Sequence, residues 1–348
     1  MLVLPIRFGD NRLDRTSGWH GYVPAFEANT SAGTPLRKLR GIKCPYCGVE
    51  MPTGKELNNI EKLLEQCATV KDVVKILTKY KRFIHKIERK ILKRFTEISK
   101  TSPDMTLSEC LQLWYDEAIT KLKLEEFNVL DDVDKISLKL SPENALNVHA
   151  KTTHCRQIIL ENNQEDTFKR KALLFSLDEI TPQKGEGLVF EKLKSKAAYL
   201  PTSSTSENAF IVKYANRSHE EIAKRMIHLS VATIEHIKPN SLGGLNAIGN
   251  FLLTSAAANS MRSNMPLATF IEMFPKIPMY CQKYIEQIIN CIHKGMLQGN
   301  ETYPYKVKRV LDKESKGLIQ LDLSNYKYTK DEAKQKVRNY HNRKEFRK

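Results

Sequence analysis

The chain has 348 residues, of which 41% are hydrophobic and 28% charged, a balance that is ordinary for globular proteins and argues against wholesale disorder. Its 56 Lys and Arg residues against 40 Asp and Glu give a net charge of +16, which favours a polyanionic partner such as nucleic acid. No stretch approaches the ~18 to 20 apolar residues of a membrane span, and the first residues lack the form of a signal peptide. We therefore expect a cytoplasmic protein with no membrane partner.

The first part of the chain divides into an irregular arm and a long helical region. The arm runs into the turn Cys44-Pro-Tyr-Cys47. Apolar residues at helical spacing follow from about residue 56 to residue 100. A further helix is predicted from Leu107 to Glu125, since Thr106-Leu-Ser-Glu109 has the form of a capping box. Residues 126–205 carry weaker patterns, and 206–230 reads as one helix.

The sequence after residue 230 changes character. Val231-Ala-Thr-Ile234 is β-branched and apolar, which predicts a strand that leads into Glu235-His236. A loop with Gly243 and Gly244 follows, then a second predicted strand at Phe251-Leu-Leu253 and a short helix over residues 254–262. Residues 266–299 return to a helical pattern broken near Pro275 and Pro278, and a strand is predicted over residues 317–323.

The order strand, loop, strand, helix brings chemically useful residues together. Glu235 from the first strand and Asn259 from the helix could converge on one cation. Their carboxylate and amide oxygens suit a hard divalent ion that keeps several waters. A histidine of ordinary pKa suits a general base at neutral pH. These are the components that phosphodiester hydrolysis requires.

This segment resembles the HNH, or ββα-metal, endonuclease family. The match is the Glu235-His236 doublet, Asn250 fourteen residues after the histidine, and Asn259 twenty-three residues after it. The run Asn259-Ser-Met-Arg-Ser-Asn264-Met-Pro266 is similar to the end of the HNH module in Cas9-type nucleases. Glu235 stands where the family most often has Asp.

The resemblance implies a role for each matching residue. His236 would be the general base that deprotonates the attacking water, and Glu235 and Asn259 would ligate one Mg²⁺ or Mn²⁺ ion. Asn250 would pin the loop and orient the histidine. Lys238 or Arg262 would contact the phosphate of the scissile strand.

Many family members also hold a structural zinc between two Cys-x-x-Cys pairs. Cys44 and Cys47 resemble the first pair, but the second would fall near Ser255 and Ala258, which are poor zinc ligands. A tetrahedral site needs four ligands. Candidates to complete it are His154 with Cys155, or Cys291 with His293, and each pair also suits a buried thiol beside a chance neighbour. We favour a zinc-free knuckle.

Because Glu235 lies 188 positions after Cys47, the resemblance implies a large insertion within the nuclease module. The expected fold is α+β and predominantly helical, with a small ββα-metal module. The expected regions are an N-terminal arm with the knuckle (1–55), a helical insertion (56–230), the ββα core (231–266) and C-terminal helices with a basic tail (267–348).

Two stretches of the chain are strongly cationic. Residues 71–100 carry 11 Lys and Arg against 3 acidic residues, and residues 327–348 carry 9 against 3. Each is compatible with tracking of nucleic-acid phosphates. The first is equally compatible with the solvated face of an amphipathic helix, and the second with a frayed terminus.

The leading functional hypothesis is a metal-dependent endonuclease that cuts DNA, with RNA as an alternative substrate. A second is a non-catalytic nucleic-acid-binding protein on a degenerate HNH scaffold. A third is the nuclease effector of a bacterial anti-phage system, controlled by a partner such as an ATPase. The chain has no Gly-x-x-x-x-Gly-Lys motif of its own. Homing and restriction-type enzymes remain alternatives within the family.

Overall fold

The structure is a computed structural model that describes residues 33–37, 39–161, 166–262 and 265–345. Within these ranges the chain is mainly helical, with one two-stranded antiparallel sheet. The expectation of a predominantly helical α+β protein is therefore confirmed. Most of the N-terminal arm, Asn264 of the predicted motif and the last three residues of the basic tail lie outside the described residues.

Sixteen helices and two strands follow one another in the described ranges. They are α1 (Thr34–Arg37), α2 (Gly54–Leu64), α3 (Val70–Lys79), α4 (Lys86–Thr101), α5 (Leu107–Gln112), α6 (Tyr115–Ser137), α7 (Pro142–Glu161), α8 (Asp166–Asp178), α9 (Gly187–Ala197), α10 (Glu207–Tyr214), α11 (His219–His228), β1 (Ala232–His236), β2 (Phe251–Ser255), α12 (Ala256–Arg262), α13 (Leu267–Met273), α14 (Ile277–His293), α15 (Tyr303–Glu314) and α16 (Lys330–Glu345).

Side-chain caps set several of these helix starts. Thr106 and Glu109 form the predicted capping box at the start of α5. A second box, from Ser218 and Glu221, begins α11 and explains why residues 206–230 form two helices rather than the single one expected. The box satisfies backbone N–H groups at Ser218 and Glu221 that a continuous helix would have bonded to the preceding turn.

One hydrophobic core joins the two distant parts of the predicted nuclease module. Side chains of the knuckle segment 36–51, of the β1–β2 hairpin and of α12 to α15 are buried together in it. We call this the module core. The C-terminal helices therefore pack as part of the ββα unit, and the chain between residues 56 and 230 leaves this core and returns to it.

The inserted region contains two further cores. The first buries side chains of α2 to α5 against α10 and α11, and the second buries side chains from α6 to α9. Each contains a buried ion pair: Arg225 with Glu88 in the first, and Lys169 Nζ with Glu126 Oε1 at 3.1 Å in the second. A buried charge needs such a partner, since its desolvation is otherwise uncompensated.

The strand predicted over residues 317–323 does not form. Ile319 and Leu321 are buried against the module core, so the alternating pattern correctly marks which side chains face inward. The segment has no β-partner within the described ranges, and the carbonyl of Leu321 accepts from the Lys308 ammonium instead. In the same described residues, no helix has both the length and the apolarity needed to cross a membrane.

Candidate active site

The predicted strand, loop, strand and helix are present in that order as β1, residues 237–250, β2 and α12. The strands pair antiparallel, with Ala232 opposite Ser255 at one end and His236 opposite Phe251 at the other. The backbone N–H groups of Ala256 and Ala257 donate to the carbonyls of Val231 and Leu229. These bonds tie the first turn of α12 to the chain just before β1.

Asn250 holds the two ends of the loop together. Its Oδ1 accepts from the backbone N–H of Lys238 at 2.8 Å, and its Nδ2 donates to the carbonyls of Lys238 and Leu245, each at 3.0 Å. The Ile237 N–H also donates to the Asn250 carbonyl at 2.8 Å. Asn250 thus bridges the two ends of the loop.

The glycine pair allows the loop to turn back on itself. Gly243 has a φ of +79°, which disfavours any residue with a side chain. A Cβ on Gly244 would lie 1.8 Å from the Lys238 carbonyl oxygen. The loop path that carries Asn246 back towards His236 therefore requires glycine at position 244.

His236 lies at the end of β1 with its ring partly exposed. The ring edge contacts Phe251, with 4.7 Å between centroids, and Nε2 lies 2.7 Å from Asn246 Oδ1. An amide oxygen can only accept, so Nε2 is the donor in this contact, and in the neutral ring the lone pair is on Nδ1. Asn246 was not among the residues expected at the site. The available signal was an asparagine in the loop that leads from His236 to Asn250.

Glu235 points away from solvent and pairs with a buried arginine. Its side chain is 7% exposed, and its Oε1 accepts from Arg262 Nη1. Burial raises the pKa of Glu235 to about 7, and the Arg262 charge opposes that rise. Arg262 also donates to the carbonyls of His236 at 2.6 Å and Ile237 at 2.5 Å. The pair links the end of β1 to the end of α12.

Asn259 lies within α12, on the side of the helix that faces β1. Its Nδ2 donates to Thr233 Oγ1 at 3.2 Å and to the Ile234 carbonyl at 3.4 Å. The side chain therefore lies beside the peptide that joins Ile234 to Glu235. Both donations use Nδ2 and neither involves Oδ1.

The two residues expected to contact phosphate are placed differently from each other. Lys238 is partly exposed at the start of the loop, with Nζ folded towards Gly243. Arg262 is 1% exposed and is committed to Glu235 and to two carbonyls. In this arrangement Lys238 is available to a phosphate, whereas Arg262 has an internal structural role.

The knuckle packs directly under the start of α12, at Ser255. Cys47 Sγ lies 3.5 Å from Ser255 Oγ, and Cys44 Sγ accepts from the Ser255 N–H at 3.4 Å and from its hydroxyl at 3.6 Å. Burial raises the pKa of Cys44, but hydrogen bonds from Cys47 and Ser255 outweigh it and bring the value to about 6. Ser255 thus contacts both thiols. It stands near the position where the resemblance would place a further zinc-binding cysteine.

Neither candidate pair brings further ligands to the knuckle. Cys155 is buried in the core of α6 to α9, and His154 beside it is exposed. Cys291 is buried in the module core, while the His293 ring stacks on Tyr326 at 5.8 Å. Across the described ranges, no three His, Cys, Asp or Glu side chains are grouped so as to hold a metal ion.

Comparisons with known proteins do not place the chain in a family. No family model, curated protein or solved structure matches it.

Proposed function

We propose that the chain is a metal-dependent endonuclease of the HNH type, which hydrolyses phosphodiester bonds in nucleic acid, with DNA as its substrate. The observation that carries this proposal is the environment of His236. The ring is accessible, Asn246 fixes its protonated nitrogen, and Asn250 braces the loop on which both depend. A histidine held in one tautomer with a free Nδ1 is suited to take a proton from water.

The residues near His236 fit a hard divalent cation by type of donor. Glu235 and the Oδ1 of Asn259 would hold the ion, Mg²⁺ or Mn²⁺, with water completing its shell. When bound, the ion would supply Lewis-acid stabilisation of charge on the phosphate. Arg262 holds Glu235 Oε1 in this structure, so a cation and the guanidinium would compete for one carboxylate.

The remaining residues account for base action and substrate placement. Nδ1 of His236 would accept the proton of the attacking water, and the positive charge that develops on the ring is stabilised by the Asn246 oxygen. Lys238 would hold a phosphate oxygen by charge. Each role belongs to a side chain on the loop or at the end of β1.

The test compares plasmid and single-stranded substrates cut by wild type, His236→Ala, Asn246→Ala and His149→Ala. His149 is a 61% exposed histidine on α7 and serves as the matched control. We expect Mg²⁺- or Mn²⁺-dependent cutting by wild type and His149→Ala, a loss of at least about 100-fold in His236→Ala, and an intermediate loss in Asn246→Ala. Cutting that persists in His236→Ala or in EDTA would overturn the proposal.

One observation favours the alternative of a non-catalytic nucleic-acid-binding protein. Glu235 is neutralised internally by Arg262 rather than left open to a cation. In that case the wild type would bind DNA in a salt-sensitive manner without cutting it. It would also fail to bind Mn²⁺ by electron paramagnetic resonance, which the nuclease is expected to do.

A further inference from the structure

The helical hairpin of α3 and α4 separates its side chains sharply into apolar and cationic faces. Val73 and Leu77 of α3 pack with Ile91 and Phe95 of α4, and all four are fully buried. The opposite face and the turn between the helices carry exposed cations. We define the cationic hairpin face by Lys71, Lys75, Lys79, Lys81, Lys86, Arg89 and Lys93.

These cations form two rows rather than a scatter. Lys71, Lys75 and Lys79 are four residues apart, so they lie on one side of α3 over about 12 Å at 1.5 Å per residue. Lys86, Arg89 and Lys93 form a similar row of about 10 Å on α4. At about 100° per residue, each row lies on the side of its helix opposite the side chains that are buried.

Ion pairing distinguishes this face from the other helices of the insertion. Across the described residues, none of its seven cations forms a salt bridge, and the exposed Asp72 instead accepts from the Thr69 hydroxyl. Lysines on the other helices commonly have acidic partners: Lys121 with Glu117, Lys151 with Glu179, Lys194 with Asp178, Lys196 with Asp132 and Lys224 with Glu220.

Like charges four residues apart on a helix destabilise it. A solvated face gains nothing from such rows, because a lysine alternating with glutamate would keep the helix soluble and stabilise it. A polyanion laid along a row would neutralise its charges and release counterions. The spacing and the missing acidic partners therefore favour a ligand with repeated negative charge.

The hairpin also contacts the module that holds His236. Arg82 Nε in the turn between α3 and α4 lies 3.3 Å from Glu50 Oε1, just after the knuckle. The knuckle in turn contacts Ser255 at the end of β2. The turn of the hairpin therefore lies next to the knuckle segment of the ββα module.

We propose that the cationic hairpin face binds the phosphodiester backbone of nucleic acid, at a surface separate from His236. The choice of nucleic acid among polyanions rests on the proposed function. Lysines contact phosphates as point charges, so the surface contributes affinity and orientation without sequence preference.

The test measures binding in EDTA, which separates binding from cleavage. Lys75, Lys79, Lys86 and Lys93 are changed together to Gln, and a control variant carries Lys121→Gln, Lys135→Gln, Lys151→Gln and Lys194→Gln. Both variants lose four positive charges, but every control lysine has an acidic partner. Fluorescence anisotropy with labelled duplex DNA, single-stranded DNA and RNA is recorded from 50 to 200 mM KCl, about the range over which phosphate contacts dominate salt dependence.

For at least one of these nucleic acids, we expect the negative slope of log K against log salt to become shallower by about 3 to 4 in the hairpin variant. The control variant is expected to change it by less than about 1. Equal losses in the two variants, or no loss in the hairpin variant, would overturn the proposal, as would equal competition by polyglutamate. If the hairpin variant loses binding as expected but the wild type never cuts, only the proposed nuclease activity is wrong. Cutting with unchanged binding would sink only this surface.

Discussion

The buried pair of Glu235 and Arg262 is the least expected contact around the site. Arg262 reaches from the end of α12 to the end of β1 and donates to a carboxylate and two carbonyls. Those carbonyls belong to His236 and Ile237. The arginine therefore holds the backbone at His236, while Asn246 in the loop holds the His236 ring.

We expect Arg262→Met to lower the free energy of unfolding by about 3–5 kcal/mol, because it leaves the Glu235 carboxylate buried without its counterion. The double variant Glu235→Gln/Arg262→Met should lose clearly less, since no charge is then stranded. Urea unfolding followed by circular dichroism measures both. Arg217→Met, at a 48% exposed arginine paired with Glu221, should change stability by less than about 0.5 kcal/mol.

Equal losses in the single and double variants would contradict a coupled pair. They would show that the arginine stabilises the hairpin through its bonds to the two carbonyls, and not through Glu235.

The residues of the site differ in how far the sequence foretells them. His236, Asn250 and Asn259 stand in a strand–loop–strand–helix pattern that the sequence itself indicates, so their local placement follows from the chain. The partner of Glu235 does not. A carboxylate beside a histidine looks the same in sequence whether it faces a cation or an arginine 27 positions away, because burial at the β1–α12 contact decides between them.

At the scale of elements, the apolar pattern indicated the two strands, α12 and the helices up to about residue 125, but it was weak over residues 126–205. Inward-facing positions of α7 are held by Asn144, Val148, Thr152, Cys155 and Ile159. Their spacing is helical, but two of the five are polar, so the hydrophobic period is weak. Thr152 is buried because its hydroxyl donates to Asp134 of α6 at 2.6 Å. Such compensation by another helix is invisible in the sequence.

Glu186 is a second polar residue that joins elements, at the starts of α7 and α9. Its carboxylate accepts from the Ser141 N–H at 2.6 Å, the Gln183 N–H at 2.7 Å and Asn144 Nδ2 at 2.6 Å. The hydrogen bond from the Ser141 backbone, together with the others, lowers the pKa of Glu186 to about 2. The ionised form is therefore favoured by folding.

A carboxyl group whose pKa is lowered by folding stabilises the fold at pH values above its ordinary pKa. That contribution is lost as the pH falls towards the lowered pKa of the folded state. We expect Glu186→Gln to lower the Tm at pH 6. The gap to wild type should narrow between about pH 4.5 and pH 2, where the wild-type carboxylate takes up its proton. Thermal unfolding at several pH values measures it. Glu143→Gln, at an exposed position in the first turn of α7, should show no comparable narrowing.

At the scale of the molecule, the chain forms three hydrophobic cores, and these do not follow one another simply along the sequence. The module core takes residues from both sides of the insertion, whereas the core of α6 to α9 is made of consecutive segments. The return of the chain to the module core could be inferred only through the knuckle resemblance. The packing of α14 and α15 in the module core could be seen only in the structure, because an apolar helix face does not indicate which element it packs against.

Hydrogen exchange tests this division. We expect Ile285→Ala, at a fully buried site in α14, to speed exchange in the knuckle segment and in β1 and β2 together. Leu173→Ala in α8 should speed exchange in α7 and α9 without affecting the knuckle. Each removes a buried aliphatic side chain, at about 2–5 kcal/mol. Unchanged protection of residues 42–51 in Ile285→Ala would contradict a shared core.

The divided module core has a consequence for the order of events during protein synthesis. The knuckle around Cys44 and Tyr46 leaves the ribosome early, but the side chains that bury it extend from Ile237 to Tyr326. Helices of the insertion have their own cores and can fold in the interval. His236 therefore acquires its rigid support only when translation has passed α15. Under the two proposals made above, the surface for nucleic acid would form on the nascent chain well before the site proposed to cut it.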